Sequence, residues 1–191
     1  MGGFAIRSLV LAVAILIVSL LGAQARAATF AEKTFAQLVT EAEQIFVGTV
    51  TSLQSRRLPS GAIVTDVRFS EPQVIKGDAA VADLALLVLG GEVDGARLEI
   101  PGLPRFQRDA RYLVFSQGNG KSIFPVVGGP TGFFRITAGA DAPVVLSWSG
   151  EPLDSEFAAQ VLGNVSPADQ GASPIALELM LGAIRTRLGL R

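Results

Sequence analysis

Apolar residues change their spacing along this chain, and each change marks a different kind of element. Leu9 to Leu21 is an almost unbroken apolar run, interrupted only by Ser19. Beyond it Phe35, Leu38, Val39 and Ala42 recur at helical spacing. Thr29-Phe30-Ala31-Glu32 has the form of a capping box, in which the two side chains satisfy each other's helix-end amides. A helix is therefore expected from about Phe30 to Glu43.

The period then shortens. Ile45 to Leu53, rich in branched and aromatic residues, reads as a strand, and Arg56 to Gly61 as a turn. Ile63, Thr65, Val67 and Phe69 alternate with Val64, Asp66 and Arg68, the mark of a half-buried strand with one wet face. Pro72 interrupts that strand, and Val74-Ile75 resumes it before Lys76-Gly77-Asp78. Leu84 to Leu89 is apolar throughout and too short for a buried helix, which predicts a central strand ended by Gly90-Gly91. Arg97 to Ile100 reads as a short strand with Leu98 and Ile100 inward. Pro101 and Pro104 lack amide donors, so a ladder cannot continue through them. Tyr112 to Phe115 and Ser122 to Val127 form a hairpin around Gln117 to Lys121, which holds Asn119-Gly120. Gly128-Gly129-Pro130-Thr131-Gly132 is a further loop, whose glycines permit positive backbone angles. Phe133 to Thr137 and Val144 to Trp148 are the last strands.

The tail returns to helical spacing. Asp154 to Leu162 is a short helix with Phe157, Val161 and Leu162 on one side, and Gly163 to Ser173 a polar linker. Ser173 as cap and Pro174 at the first helical position open a final helix to about Leu188. Its face of Ile175, Leu179, Ile184 and Leu188 is expected to dock on its own domain, the alternative being a partner. Seven short strands flanked by helices predict a mainly β fold, a small antiparallel barrel or sandwich. Residues 28–150 would form the β-barrel domain with its N-terminal helix, and residues 151–191 a C-terminal helical extension.

The first apolar run concerns destination. With Arg7 ahead of it and small residues behind it, residues 1–27 read as a signal peptide cleaved near Ala25 or Ala27. The run is too short to span a bilayer comfortably, and no membrane span is expected after cleavage. The expected location is periplasmic or secreted, in a bacterium. The absence of cysteine is compatible with an oxidising compartment, since a domain of this size is stable without cross-links. The whole chain carries 16 basic and 17 acidic residues, and the leader removes two arginines and no acid, so the mature net charge is −3. That balance gives no support for nucleic-acid binding.

The strand order carries a resemblance. Ile45-Phe46-Val47-Gly48-Thr49-Val50, Thr65-Asp66-Val67-Arg68-Phe69, Val74-Ile75-Lys76-Gly77-Asp78 and Arg111-Tyr112-Leu113-Val114-Phe115 follow one another in an order that resembles the netrin-like domain. That domain is the OB-type barrel also used by tissue inhibitors of metalloproteinases. The chain also resembles a group of uncharacterised exported bacterial proteins with a Gly-Gly-Glu and a Gly-x-Pro-x-Phe segment, here Gly90-Gly91-Glu92 and Gly102-Leu103-Pro104-Arg105-Phe106. The similarity spans roughly Phe35 to Ile136 and implies a small antiparallel OB-like barrel with one N-terminal helix and two C-terminal helices. Two departures limit what it implies. Metalloproteinase inhibitors chelate zinc through an N-terminal cysteine, and this chain has none. Some relatives carry a matrixin-type peptidase domain, and no His-Glu-x-x-His exists here.

Composition narrows the chemistry further. With no histidine and no cysteine, the histidine-dependent nucleophile systems are excluded within the chain, as are ordinary zinc sites. The lysines Lys33, Lys76 and Lys121 sit in no nucleophile-turn signature. Glu92, Asp94 and Glu99 beside a glycine-rich stretch could serve carboxylate-only glycoside hydrolysis or weak calcium binding, although such acids more often decorate solvated turns. The loop at Gly128 lacks the ending of a phosphate loop. Arg97, Arg105, Arg108 and Arg111 with Phe106 and Tyr112 could suit single strands or sugars, but Glu99 and Asp109 dilute the charge.

The reading that results is an exported, non-enzymatic β-barrel module that binds another exported protein or an envelope component, with no cofactor, metal or catalytic residue. Its expected binding surface is the irregular stretch from Gly90 to Phe106, with Glu92, Arg105 and Phe106 as contacts. The alternatives are a carboxylate-based hydrolase acting on polysaccharide and a structural accessory subunit docking through its last helix.

Overall fold

The computed structural model describes residues 32–78, 84–163 and 174–190. The proposed leader, the start of the Thr29 capping box and most of the 163–173 linker lie outside them. Among the described residues no helix is long and apolar enough to cross a membrane.

Two long strands form the spine. β1 (Gln44–Arg57) and β2 (Ile63–Lys76) pair antiparallel over most of their length. They are followed by β3 (Leu84–Leu89), β4 (Gly91–Val93), β5 (Ala96–Leu98), β6 (Arg111–Ser116), β7 (Phe133–Thr137), β8 (Val144–Leu146) and β9 (Ile175–Ala176). The helices are α1 (Phe35–Glu41), α2 (Ser155–Leu162) and α3 (Leu177–Arg187). The fold is thus mainly β, with one N-terminal and two C-terminal helices. Seven strands make one antiparallel sheet in the order β3-β2-β1-β6-β7-β8-β9, and β4 and β5 pair separately.

Pro72 does not break β2. Val47 faces Gln73 and Thr49 faces Ser70, so Glu71 and Pro72 together stand opposite Gly48. This is a β-bulge with Glu71 at φ 44°, and among the described residues β3 pairs with β2 only from Val64 to Phe69, so no described ladder partner needs the missing proline amide. Leu84 to Leu89 is a strand as expected but an outer one, not a central one. Its apolar character follows from a covered edge: the Leu89 amide donates to Ile123 O at 2.8 Å and the Leu87 amide to Asn119 Oδ1 at 2.9 Å. Asn119 Nδ2 in turn donates to Ala85 O at 2.8 Å. The 117–124 loop thus replaces a neighbouring strand. Ser122 to Val127 does not form a strand and returns to β6 through a single bridge, Ser116 to Val126.

The helix ends differ from expectation in instructive ways. α1 begins after Thr34, whose hydroxyl accepts from the Gln37 amide while Gln37 Oε1 accepts from the Thr34 amide, a capping box more than one turn later than the Thr29 pattern suggests. Its last carbonyls are met by Lys76 Nζ, which donates to Val39 O at 2.8 Å and Thr40 O at 3.0 Å. α2 forms as expected, with Asp154 standing just outside it as the N-cap and accepting from the Phe157 amide. The final helix starts later than Pro174, because Ile175 and Ala176 first pair with Val145 and Val144 as β9. Ala176 then stands at the cap without a side-chain hydrogen bond.

The core has two halves, one on each face of the sheet. Ile45 and Val47 join Leu113, Phe115, Phe134 and Val145 beneath the three helices. Phe46 and Val50 point the other way and join Val67, Phe69, Leu86, Tyr112, Phe124 and Phe133. β1 is buried on both faces along its first half, which is why it reads as an apolar run rather than an alternation. Met180, Leu181 and Ile184 are fully buried against the sheet, so α3 packs on its own domain, but Leu179 of the expected face is 57% exposed and points away.

Candidate functional site

The second core half is closed by irregular backbone, and that closure leaves a cavity. It begins at Gly90-Gly91. Gly91 has φ 132°, and a Cβ there would overlap Ser55 Oγ and Thr65 Oγ1. Glycine at this position lets β4 cross close over the β1–β2 ribbon. A chain of hydroxyls fixes the crossing. Thr65 Oγ1 donates to Gly90 O at 2.7 Å, which leaves the Ser55 hydroxyl to donate to Thr65 Oγ1 at 2.9 Å. Ser55 Oγ accepts from the Glu92 amide at 3.4 Å.

β4 and β5 then form a tight hairpin. Asp94 and Gly95 both have positive φ, 51° and 75°, as a two-residue turn that follows the strand twist requires. Glu92 stands opposite Arg97 and Gly91 opposite Leu98. Asp94, one of the three acids grouped above as candidate chemistry, belongs to an Asp-Gly pair, which is a strong hairpin signal. The structure puts it at the turn tip, exposed.

After the hairpin the chain passes Glu99 and the two prolines and dives inward at Phe106. That ring is 8% exposed and lies edge-on to Phe69, Tyr112 and Phe133, at centroid distances of 5.7, 5.5 and 4.5 Å. Phe106, expected as a contact, is therefore a plug in the core that also lines the cavity beside it. The Tyr112 hydroxyl accepts from the Gln107 amide at 3.1 Å and holds the segment in place. Burial pushes the Tyr112 hydroxyl pKa up.

Between hairpin, loop and sheet lies a cavity of about 300 Å³. Leu53, Val67, Val88, Leu98, Ile100 and Leu103 supply its apolar wall, and Ser55 and Thr65 its polar floor. At the mouth Arg97 and Arg105 both pair with the same oxygen of Glu99, Oε1. The hydrogen bond from Arg105, with the charge of both guanidiniums, holds the Glu99 carboxyl below its usual pKa. Glu92 and Arg105 both line this cavity from exposed positions.

The acids Glu92, Asp94 and Glu99 are distributed over strand, turn tip and loop, and Glu99 is shifted away from the raised pKa a general acid needs. No cluster of acids suited to a metal ion occurs among the described residues. Gly128 and Gly129 have φ of 63° and 59° and lead into a short 3-10 turn, Gly129–Gly132. In comparison with known proteins, no family model matches the chain, and neither a curated protein nor a solved structure does.

Proposed function

We propose that this is an exported, non-enzymatic binding module of netrin-like, OB-type build, which engages another exported protein or an envelope component through its β4–β5 hairpin and the loop to Phe106. The observation that carries this reading is the cavity beneath the hairpin, with Glu92 and Arg105 at its mouth. Recognition is commonly placed on loops held over a rigid sheet. Here the loop is held at Gly91 by the hydroxyl chain and at Phe106 by its ring packing. The apolar face of α3, by contrast, is already occupied by its own sheet, which weakens docking through the last helix.

The test is capture from native envelope extract by the tagged protein and by its Glu92→Ala/Arg105→Ala variant. Phe106 stays in place, because its removal would damage the core. Loss of the captured component with a melting temperature lowered at most slightly, by the lost Arg105–Glu99 pair, is the expected result. Equal capture by both proteins would remove this face from the account.

A further inference from the structure

We infer that the cavity under the β4–β5 hairpin takes a small amphiphile, an aliphatic body with a single carboxylate head, and that Arg97 and Arg105 receive the head. This rests on the binding reading above and names the chemistry of its site. One side of the wall is apolar, with Leu53, Val67, Val88, Leu98, Leu103 and the Phe106 ring, and suits a hydrocarbon body, while Ser55 and Thr65 give the floor two hydroxyls. A volume of about 300 Å³ is at the small end for ligand sites, fitting a single short chain rather than a lipid with two.

The head preference comes from the mouth. Two guanidiniums meet one carboxylate there; Glu92 at the same mouth brings the formal charge to zero, so the preference rests on the open guanidinium donors rather than on net charge. Both arginines use the same Glu99 oxygen, and each guanidinium has five donors. Arg97 and Arg105 keep side-chain exposures of 56% and 60%, so donors remain open at the mouth for a second carboxylate. Glu99 displays the coordination that the ligand's own head would share or take over. Glu92, opposite Arg97 in the hairpin, opposes an anion at the same mouth.

Calorimetric titration of the purified protein with decanoate, decanol and decylammonium tests this. Decanoate should bind about tenfold more tightly than either of the others, the margin expected of hydrogen bonds to charged groups. Arg97→Ala/Arg105→Ala should reduce decanoate to the level of decanol and leave decanol unchanged. Glu92→Gln should tighten decanoate, and Leu103→Glu should weaken decanoate and decanol alike. The arginine variants sit on exposed side chains, so they keep the test valid even if Leu103→Glu does not fold. Equal affinity for the three ligands would overturn the carboxylate preference. Binding insensitive to Leu103→Glu in a folded protein, or no binding of any ligand at millimolar concentration, would overturn the cavity as the site. None of these failures touches envelope capture, which stands or falls on the Glu92 and Arg105 variant.

Discussion

The two faces of the sheet are closed over their apolar side chains with different materials. On one, three helices lay aliphatic side chains together with Phe35 and Phe157 over β1, β6, β7 and β8, and Met180, Leu181 and Ile184 reach zero exposure. On the other, an aromatic layer of Phe69, Tyr112, Phe124 and Phe133 is closed by a loop that contributes one plug, Phe106. Helical spacing supplies a new apolar side chain every turn. An irregular segment with two prolines cannot, and space remains beside its plug. The helical face is closed by packed helices, whereas the loop face combines a rigid base with an open cavity and charged groups at its mouth.

The sharpest way to break this contrast is to remove one buried side chain from each face. Phe106→Ala should cost about 3–5 kcal/mol and Met180→Ala about 2–5 kcal/mol, read from denaturant midpoints. Only the first should also abolish envelope capture under conditions where both variants remain folded. If Met180→Ala lost capture and Phe106→Ala kept it, the faces would have been assigned the wrong way round.

A smaller perturbation addresses the hairpin. Gly91→Ala places a methyl against Ser55 and Thr65 at a positive φ, and about 1–3 kcal/mol of destabilisation is expected. Faster amide exchange should be confined to β4, β5 and the loop that follows, leaving α1 and α3 protected. Uniform loosening of both faces would show that the hairpin is not an independent lid.

The smallest effect is electrostatic. Glu99 has a folded pKa below its ordinary 4.5, so its pairing with Arg105 and Arg97 is fully present above that value. The contribution is lost as pH falls through the lowered folded pKa. Wild type should therefore melt slightly above Glu99→Gln at neutral pH, and the two should converge in acid below 4.5. A gap that persists or widens in acid would mean that the ion pairs are not its source.

Much of this contrast is legible in the residue pattern alone. The alternation of Ile63 to Phe69, the apolar run from Leu84 and the helical spacing of Phe157, Val161 and Leu162 all follow from rules of local spacing, and the corresponding elements form. The Gly90 to Phe106 stretch stands out because its prolines and glycines deny a ladder. What the pattern does not carry is tertiary. Phe106 and Arg105 are adjacent in sequence, yet one enters the core and the other faces solvent, a choice made by the aromatic ring positions across the sheet. Leu84 to Leu89 reads as central because a loop, not a strand, covers its edge. Ile175 reads as helical because its pairing with Val145 spans 30 positions of sequence. The Asp94-Gly95 turn is the exception, a local signal masked by its neighbours: three nearby acids suggest chemistry, whereas this pair is chosen for its backbone angles.

The most direct measurement places a photocrosslinking phenylalanine analogue at Glu92 in one protein and at Leu179, 57% exposed on α3, in another. Both are irradiated in the native envelope. An adduct from position 92 with none from position 179 is the expected outcome. An adduct from position 179 alone would contradict the assignment of recognition to the loop-closed face.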